Sequence, residues 1–437
     1  MKRIVKFVAA AAAIMLLAGC LGSAFKSGNA ADPPVDVSVV PGDSSATVTW
    51  TASPNVQYWL FAAPASSVTP DNWNQLPGGR ALINVTSPLL VTGLINGLNY
   101  SFTLNGRSDN GPGGSGSPST STVPRLSGGN WTIGSPLVND LRGTAYGAVA
   151  GVAYLVTVGA HGALYSSPDF NAWTPLSWTQ RTNPLATLPD LNAVTYGSSS
   201  ALYIAVGAGG TILSSPDAVA WTVRNSTTTN ALYGITLYGS GGFMAVGEKG
   251  TILITSDGTS WTSVNSGTTN DLFGVTFGNG IYVAVGANGT ILSSANGTTW
   301  TAIPSNNSLD LHGIAYGVNP ITLTPTYMAV GAAGTVMTSA DGTAWTVRTR
   351  PTNSNLNSVT FTLTPLPNSI LDPVTSEPIT SNRQFVIVGD GGTVITSLDG
   401  SSMQLQNSGT SSNLATVAHN FYGLFAVGAA GTNLFSL

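Results

Sequence analysis

The chain has 437 residues and a net charge of −4, and only 7% of its residues are Asp, Glu, Lys or Arg, against about 25% in ordinary soluble proteins. The few basic residues are scattered, which leaves no electrostatic footprint for nucleic acid. With 52 glycines and few charges, the surface has to be built from hydroxyls, amides and tight turns.

Lys2, Arg3 and Lys6 precede the apolar run FVAAAAAIMLLA, which ends in Leu17-Ala18-Gly19-Cys20. That run is short for a mature membrane span and has the layout of a secretory leader. Leu17–Cys20 resembles the lipobox of bacterial lipoproteins. The resemblance implies that residues 1–19 are a signal peptide and that Cys20, the one cysteine, becomes the lipidated first residue and anchors the chain to a membrane. Everything after it is then expected outside the cytoplasm. Leu21 and Gly22 carry no Asp retention signal, which in a Gram-negative cell implies the outer membrane or cell surface. Residues 20–32 are small and polar and read as a tether.

From residue 33 to 124 the apolar period is two, in the runs VDVSVV, ATVTWTA, YWLFAA, ALINVT and YSFTLNGR, with turn residues between them. Several short strands in that length predict a β-sandwich. Pro33-Pro34, Trp50 and the Leu94…Gly97…Tyr100-x-Phe102 pattern resemble a fibronectin type III domain. Tyr100 falls at that family's tyrosine corner, and SDNGPGGSGSPS at its Gly-rich loop. Such domains bind or space.

Residues 126–437 repeat. Val-Gly pairs recur with the glycine at 159, 207, 247, 286, 331, 389 and 428. In the first six copies an Asp or Asn follows, at Asp169, Asp217, Asp257, Asn296, Asp341 and Asp399. Then comes Trp173, Trp221, Trp261, Trp300, Trp345 or Met403, and a leucine opens the next run. Each unit offers four short strands, as in LFGVTFG, IYVAVG, GTILSS and WTSVNS. Seven such units predict a seven-bladed β-propeller. A parallel β-helix has shorter coils, and the Trp-Asp dipeptide of WD40 repeats is absent. The seventh copy runs out after its third strand, and Trp131-Thr132-Ile133 stands before the first repeat. This predicts closure of the ring by an N-terminal strand. The expected fold is all-β: a fibronectin type III-like sandwich, then a seven-bladed propeller with N-terminal strand closure.

Thr255-Ser256-Asp257-Gly258-Thr259-Ser260-Trp261 resembles the Asp-box hairpin of sialidase-like and photosystem II assembly-factor-like propellers. Its residues have local tasks: Asp accepts turn amides, Gly takes positive φ, and Trp packs between blades. One carboxylate per turn, replaced by Asn296 in one copy, is a poor metal site, and His161, His312 and His419 are too dispersed for a metal trio. No metal, cofactor or catalytic residue is assigned. A sialidase-like carbohydrate-active hydrolase is the rival reading, and only Asp372 and Glu377, in the insertion at 363–384, are acids outside the repeat pattern. The arginines Arg142, Arg181, Arg224, Arg348, Arg350 and Arg383 have no obvious matched positions.

The most varied position is the one after each opening leucine: Arg142, Asn192, Tyr233, Phe273, His312, Asn357 and Ala415. It begins the innermost strand, near the mouth of the central channel. The first six are the candidate binding residues, and their mixture of aromatic and polar groups suits a carbohydrate or a peptide; filling of gaps between blades accounts for them as well. The function expected is non-enzymatic binding, adhesion or envelope assembly, with an extracellular or envelope protein or a glycan as partner.

Overall fold

The computed structural model describes residues 29–42, 45–95, 98–124, 128–129, 131–149, 152–168, 177–319, 324–362, 364–365, 381–382, 384–419 and 423–436. The leader with Cys20, and Gly97, Asp169, Trp173, Asp372, Glu377 and Arg383, lie outside the described residues. The chain divides into two compact units. The first holds residues up to Val37 with Trp50–Ser87 and Ser101–Thr120, and the second holds Ser38–Thr49, Pro88–Tyr100 and Ser121–Leu437.

The first unit is built around a sheet in the order Ala30–Ala31, Tyr100–Arg107, Gln57–Ala63, Arg80–Val85. Its apolar centre includes Phe61, Ala63 and Val68, packed by Trp59, Trp73 and Leu76. Ala30–Ala31 falls in the segment read as tether, yet it pairs with Gly106 and Arg107. Two small alanines carry no strand signal of their own; the exposed edge of the longer strand recruits them.

In the second unit, Ser38–Gly42, Ser45–Thr49 and Leu89–Thr92 form a three-stranded sheet. The described residues of the unit also hold seven four-stranded antiparallel sheets, each running from an inner strand to an outer one. One is Leu272–Gly278, Ile281–Gly286, Ile291–Ser294 and Thr301–Ala302. Every inner strand lies beside the inner strand of the next sheet, and Leu414–His419 lies beside Leu141–Val149, so the ring closes. This is a β-propeller. The blades are numbered one to seven from Leu141.

The blade sequences follow from burial. Second strands such as Tyr203–Val206 are fully buried, because neighbouring blades cover both faces, and they read as continuous apolar runs. Outer strands such as Thr222–Arg224 face water. The apolar clusters bridge adjacent blades: Ile204, Val206 and Ile212 of the second pack with Leu232, Phe243, Leu253 and Trp261 of the third.

The repeated Val-Gly has a steric origin. A Cβ on Gly286 would lie 1.9 Å from the Asp271 carbonyl oxygen, and one on Gly331 would lie 2.0 Å from that of Asp310. The second strand ends where it crosses the residue before the opening leucine, and only glycine fits there.

In blade one, the outer strand Thr179–Gln180 is headed by Trp178, not by Trp173 as the spacing indicated. Gln180 and Thr179 pair with Tyr165 and Ser166, as Val223 and Thr222 pair with Leu213 and Ser214 in blade two. Trp178 packs 5.4 Å from Phe425 of blade seven. An insertion between the third and fourth strands displaced the count.

Blade seven consists of Leu414–His419, Leu424–Gly428 and Asn433–Ser436, with Thr132–Ile133 as its outer strand. Ile133 pairs with Leu434 and Thr132 with Phe435.

Candidate binding site at the channel mouth

The opening leucine of each blade pairs with the glycine of Val-Gly, and the register then skips one residue: Leu272 faces Gly286, but Gly274 faces Val285. The same shift occurs in all seven blades. The skipped residues are Arg142, Asn192, Tyr233, Phe273, His312, Asn357 and Ala415. Each is therefore the extra residue of a β-bulge, which frees its side chain from the sheet's alternation and re-aims it. All seven line one cavity of about 200 Å³. The six sequence-predicted residues are thus brought together, each half-buried.

The ring has two halves. Tyr233, Phe273 and His312 form an aromatic wall, with Tyr233 and Phe273 centroids 5.5 Å apart and Phe273 and His312 5.9 Å apart, edge to face. Across it lies a polar arc. Arg142 donates to Asn192 Oδ1 at 3.0 Å and pairs with Asp190 at 2.9 Å. Asn192 donates to the Leu232 carbonyl, and Asn357 donates to the Leu414 carbonyl and to Asp390, each at 2.9 Å. His312 Nδ1 lies 3.1 Å from the Leu356 carbonyl. A carbonyl only accepts, so Nδ1 carries the proton and Nε2 of the neutral ring is an acceptor. Each polar member thus tethers its own blade to the next one. Gap-filling and cavity-lining are both done by the same side chains.

Among the described residues, no hydrogen bond engages the Tyr233 hydroxyl, His312 Nε2 or Asn357 Oδ1. Burial, with Asp271 and Glu248 nearby, pushes the Tyr233 hydroxyl pKa up. The His161 amide, and then Arg142, hold the Asp190 carboxyl below the usual range.

The acids before the opening leucines cap turns. Val-Gly is followed by a one-turn 3-10 segment whose middle residue has positive φ, as at His161, Lys249, Asn288 and Ala333. The amide of that residue donates to the side chain before the next blade's leucine. The pairs are His161 to Asp190, Lys249 to Asp271, Asn288 to Asp310, Ala333 to Asn355, Gly391 to Asn413, and Ala430 to Asp140, at 2.7–3.0 Å. The seventh place has Ala231, which offers no acceptor to Gly209. His161 is accordingly a turn residue.

The hairpin aspartates are occupied locally. Asp257 Oδ1 accepts the Thr259 and Ser260 amides and the Thr255 hydroxyl, and Asp217, Asp341 and Asp399 repeat the arrangement. Asn296 makes the same amide bonds without charge. Three arginines do hold a matched position: Arg181, Arg224 and Arg348 donate through Nε to Ser166, Ser214 and Thr338 on the neighbouring third strand. Spacing from Trp173 hid that match; counted from Trp178, Arg181 aligns with the other two. A depression of about 360 Å³ between blades five and six is lined by Asp341, Arg348 and Asp399, where Asp341 Oδ1, Arg348 Nε and Asp399 Oδ1 are engaged by these same bonds. Thr364–Pro365 and Ser381–Asn382 form a two-stranded ribbon at the end of the inner hairpin of blade six, away from the bulges. Among the described residues, no group of three or more His, Cys, Asp or Glu is arranged to hold a metal ion.

No family model matches the chain, and no curated protein matches it by sequence. Solved structures do resemble it. YCF48 bound to a D1 peptide superposes with a TM-score of 0.52 at 16% identity, covering 70% of this chain and 94% of the other. The WD40 β-propeller domain of Doa1 gives 0.50 at 13% identity, covering 70% and 95%. At such identities the likeness is one of fold.

Proposed function

We propose that this protein is a non-enzymatic binding protein that takes hold of a partner, an envelope or extracellular protein or a glycan, at the mouth of its propeller channel. The observation that carries this reading is the bulge repeated in every blade, which turns the most varied residue of each repeat into one shared cavity. Rigid scaffolds commonly place recognition at such positions. That YCF48, a propeller of similar fold, is found with a peptide bound supports a protein partner.

The rest of the molecule serves presentation in this reading. Cys20 anchors it by lipid outside the cytoplasm, at the outer membrane or cell surface, followed by a tether to residue 32. A fibronectin type III-like domain over 33–124 spaces the seven-bladed, Asp-box-type propeller of 126–437 from the membrane. The fibronectin-like assignment draws support from Tyr100, whose hydroxyl accepts the Ile95 amide at 3.3 Å, and from Trp50, packed edge-on against Tyr58.

The test is capture of partners from envelope extract by the full chain, compared with Tyr233→Ala and Phe273→Ala. Loss of the same bands in both variants is expected; unchanged capture overturns the mouth as the site. A glycan-hydrolysis screen with Asp372→Asn and Glu377→Gln addresses the hydrolase reading, since turnover that depends on either carboxylate would replace binding by catalysis. Cys20→Ala is expected to move the protein from the membrane fraction to the soluble one.

A further inference from the structure

The charge and hydrogen-bonding state of the mouth narrows what it can hold. The one full positive charge in its lining, Arg142, is paired with Asp190; Asp390 reaches the ring through Asn357, and Asp271 and the Glu248–Lys249 pair lie near Tyr233. An anion entering here meets these carboxylates and finds no uncommitted cation. A cation faces Arg142 on the polar arc. Among the described residues, the side-chain atoms left without a partner in the ring include two acceptors, His312 Nε2 and Asn357 Oδ1, the Tyr233 hydroxyl, which both donates and accepts, and the Arg142 Nε–H donor. A ligand matching them is uncharged, rich in hydroxyl donors, and apolar on one side to lie against Phe273. The space, about 200 Å³, is below the roughly 300–1,000 Å³ of drug-sized pockets, so it takes one ring and not an extended chain.

We propose that the channel mouth holds a single neutral sugar ring, with its C–H face on the aromatic wall of Tyr233, Phe273 and His312 and its hydroxyls on His312 Nε2, Asn357 Oδ1 and the Tyr233 hydroxyl. The proposal rests on the reading of the mouth as the recognition site and names the chemistry that it recognises. A terminal residue of a polysaccharide and a glycan carried by a protein present the same group. A lone ring with a few hydrogen bonds binds weakly, with a Kd on the order of 1 mM, and affinity beyond that comes from the remainder of the partner.

Saturation-transfer NMR on the whole protein tests this with the methyl glycosides of glucose, galactose, mannose and N-acetylglucosamine. N-acetylneuraminic acid serves as the anionic probe and arginine methyl ester as the cationic one. At least one neutral glycoside is expected to bind, with affinity falling at least tenfold in Phe273→Leu, which keeps apolar bulk but removes the ring, and in Asn357→Ala. Both variants should unfold within a few degrees of the parent. The proposal is overturned if no neutral glycoside binds, if binding survives both substitutions, or if only a charged probe shows ring-dependent binding. If envelope capture is lost in Phe273→Ala while no glycoside binds, the mouth remains the site of partner binding and the sugar assignment alone falls. Competition of envelope capture by the free glycan or by deglycosylated extract separates polysaccharide from glycoprotein.

Discussion

The amide of Gly128 donates a 2.7 Å hydrogen bond to the hydroxyl of Ser436, 308 positions away. It is the bond that Gly297 makes to Ser294 and Gly342 to Ser339 inside covalently continuous hairpins, at 2.8 Å. The indole of Trp131 then donates to the Gly128 carbonyl at 3.0 Å, as Trp300 does to Gly297 and Trp345 to Gly342. The seventh hairpin turn is thus assembled from two distant pieces of chain that reproduce its geometry without a connecting loop. Because Thr132–Ile133, which runs on into blade one, is held to the third strand of blade seven only by packing and hydrogen bonds, this turn is the latch of the ring.

Breaking the latch is expected to cost more than breaking the same turn elsewhere. Trp131 packs on the cluster of Val386, Leu414 and Leu434, and large-to-small changes of buried aromatics cost about 3–5 kcal/mol. Trp131 is half-buried, so Trp131→Ala should lose about 2–3 kcal/mol. Limited proteolysis should then cut first in the closing segment released from blade seven, between Gly128 and Leu141. Trp300→Ala, in a continuous hairpin, should lower thermal stability without that localised cleavage. Equal cleavage patterns in the two variants would contradict the latch.

The ring of turn caps has one gap, where Ala231 faces Gly209. Ala231→Asn supplies the acceptor that Asn355 and Asn413 provide elsewhere, and should stabilise by about 0.5–1 kcal/mol, the net worth of one hydrogen bond. Asp310→Ala removes a cap and should cost about 1 kcal/mol. Denaturant melts of the two variants are expected to move in opposite directions.

Glycines in the repeat divide into two kinds. Gly286→Ala drives a Cβ against the Asp271 carbonyl, where backbone must move, and should destabilise by about 3 kcal/mol or more. Gly209 has φ near +64° and open space around a would-be Cβ, and Lys249, Asn288 and Ala333 hold that conformation at matching turns. Gly209→Ala should therefore cost only about 1 kcal/mol. Comparable losses in the two variants, read by calorimetry, would refute the steric account of Val-Gly.

Two groups should shape acid stability. The Ala344 and Thr343 amides hold the Asp341 carboxyl down at about 2. A folded pKa below the unfolded value of 3.8 means stability that is present above pH 4 and lost as pH falls toward 2. Burial pushes the His419 imidazole below its ordinary 6.5; the unfolded state then binds the proton first, so stability is lost as pH falls through about 6.5. Asp341→Asn, which copies Asn296, should make the melting profile shallower between pH 4 and 2, the remaining slope coming from Asp217, Asp257 and Asp399, which are lowered in the same way. His419→Phe, which copies Phe361 at the matching inner-strand position, should flatten it just below pH 6.5. Melting temperatures that follow the parent throughout both windows would exclude these linkages.

Some features were out of reach of pattern reading for a definable reason. Phe277 is 47% exposed although it occupies a core aromatic position. In the matching places Gly147, Gly278 and Gly317 leave room for the rings of Tyr196, Tyr316 and Phe361 of the following blade. Blade three has Tyr238 there, and Phe277 finds no glycine to lie on. Such a displacement depends on which residue of one repeat meets which residue of the next, and a repeat alignment compares copies without placing them in contact. Likewise Trp178 and the tier of Arg181, Arg224 and Arg348 became visible only once strand pairing replaced counting.

Periodicity, glycine spacing and the run of four-strand units specify the propeller and its closing strand, because each of those signals comes from local requirements: alternation, turns and burial on both faces of a blade. The variable position after the opening leucine is also legible, since it is what differs between otherwise similar copies. Its role was decided by the bulge. A one-residue shift in register leaves no mark in the sequence of its own strand, for it exists only relative to the partner strand. That shift converts seven unrelated side chains into one cavity and spends most of their hydrogen bonds on the next blade. It leaves an aromatic wall and a few free polar atoms in the ring as the part available to a ligand.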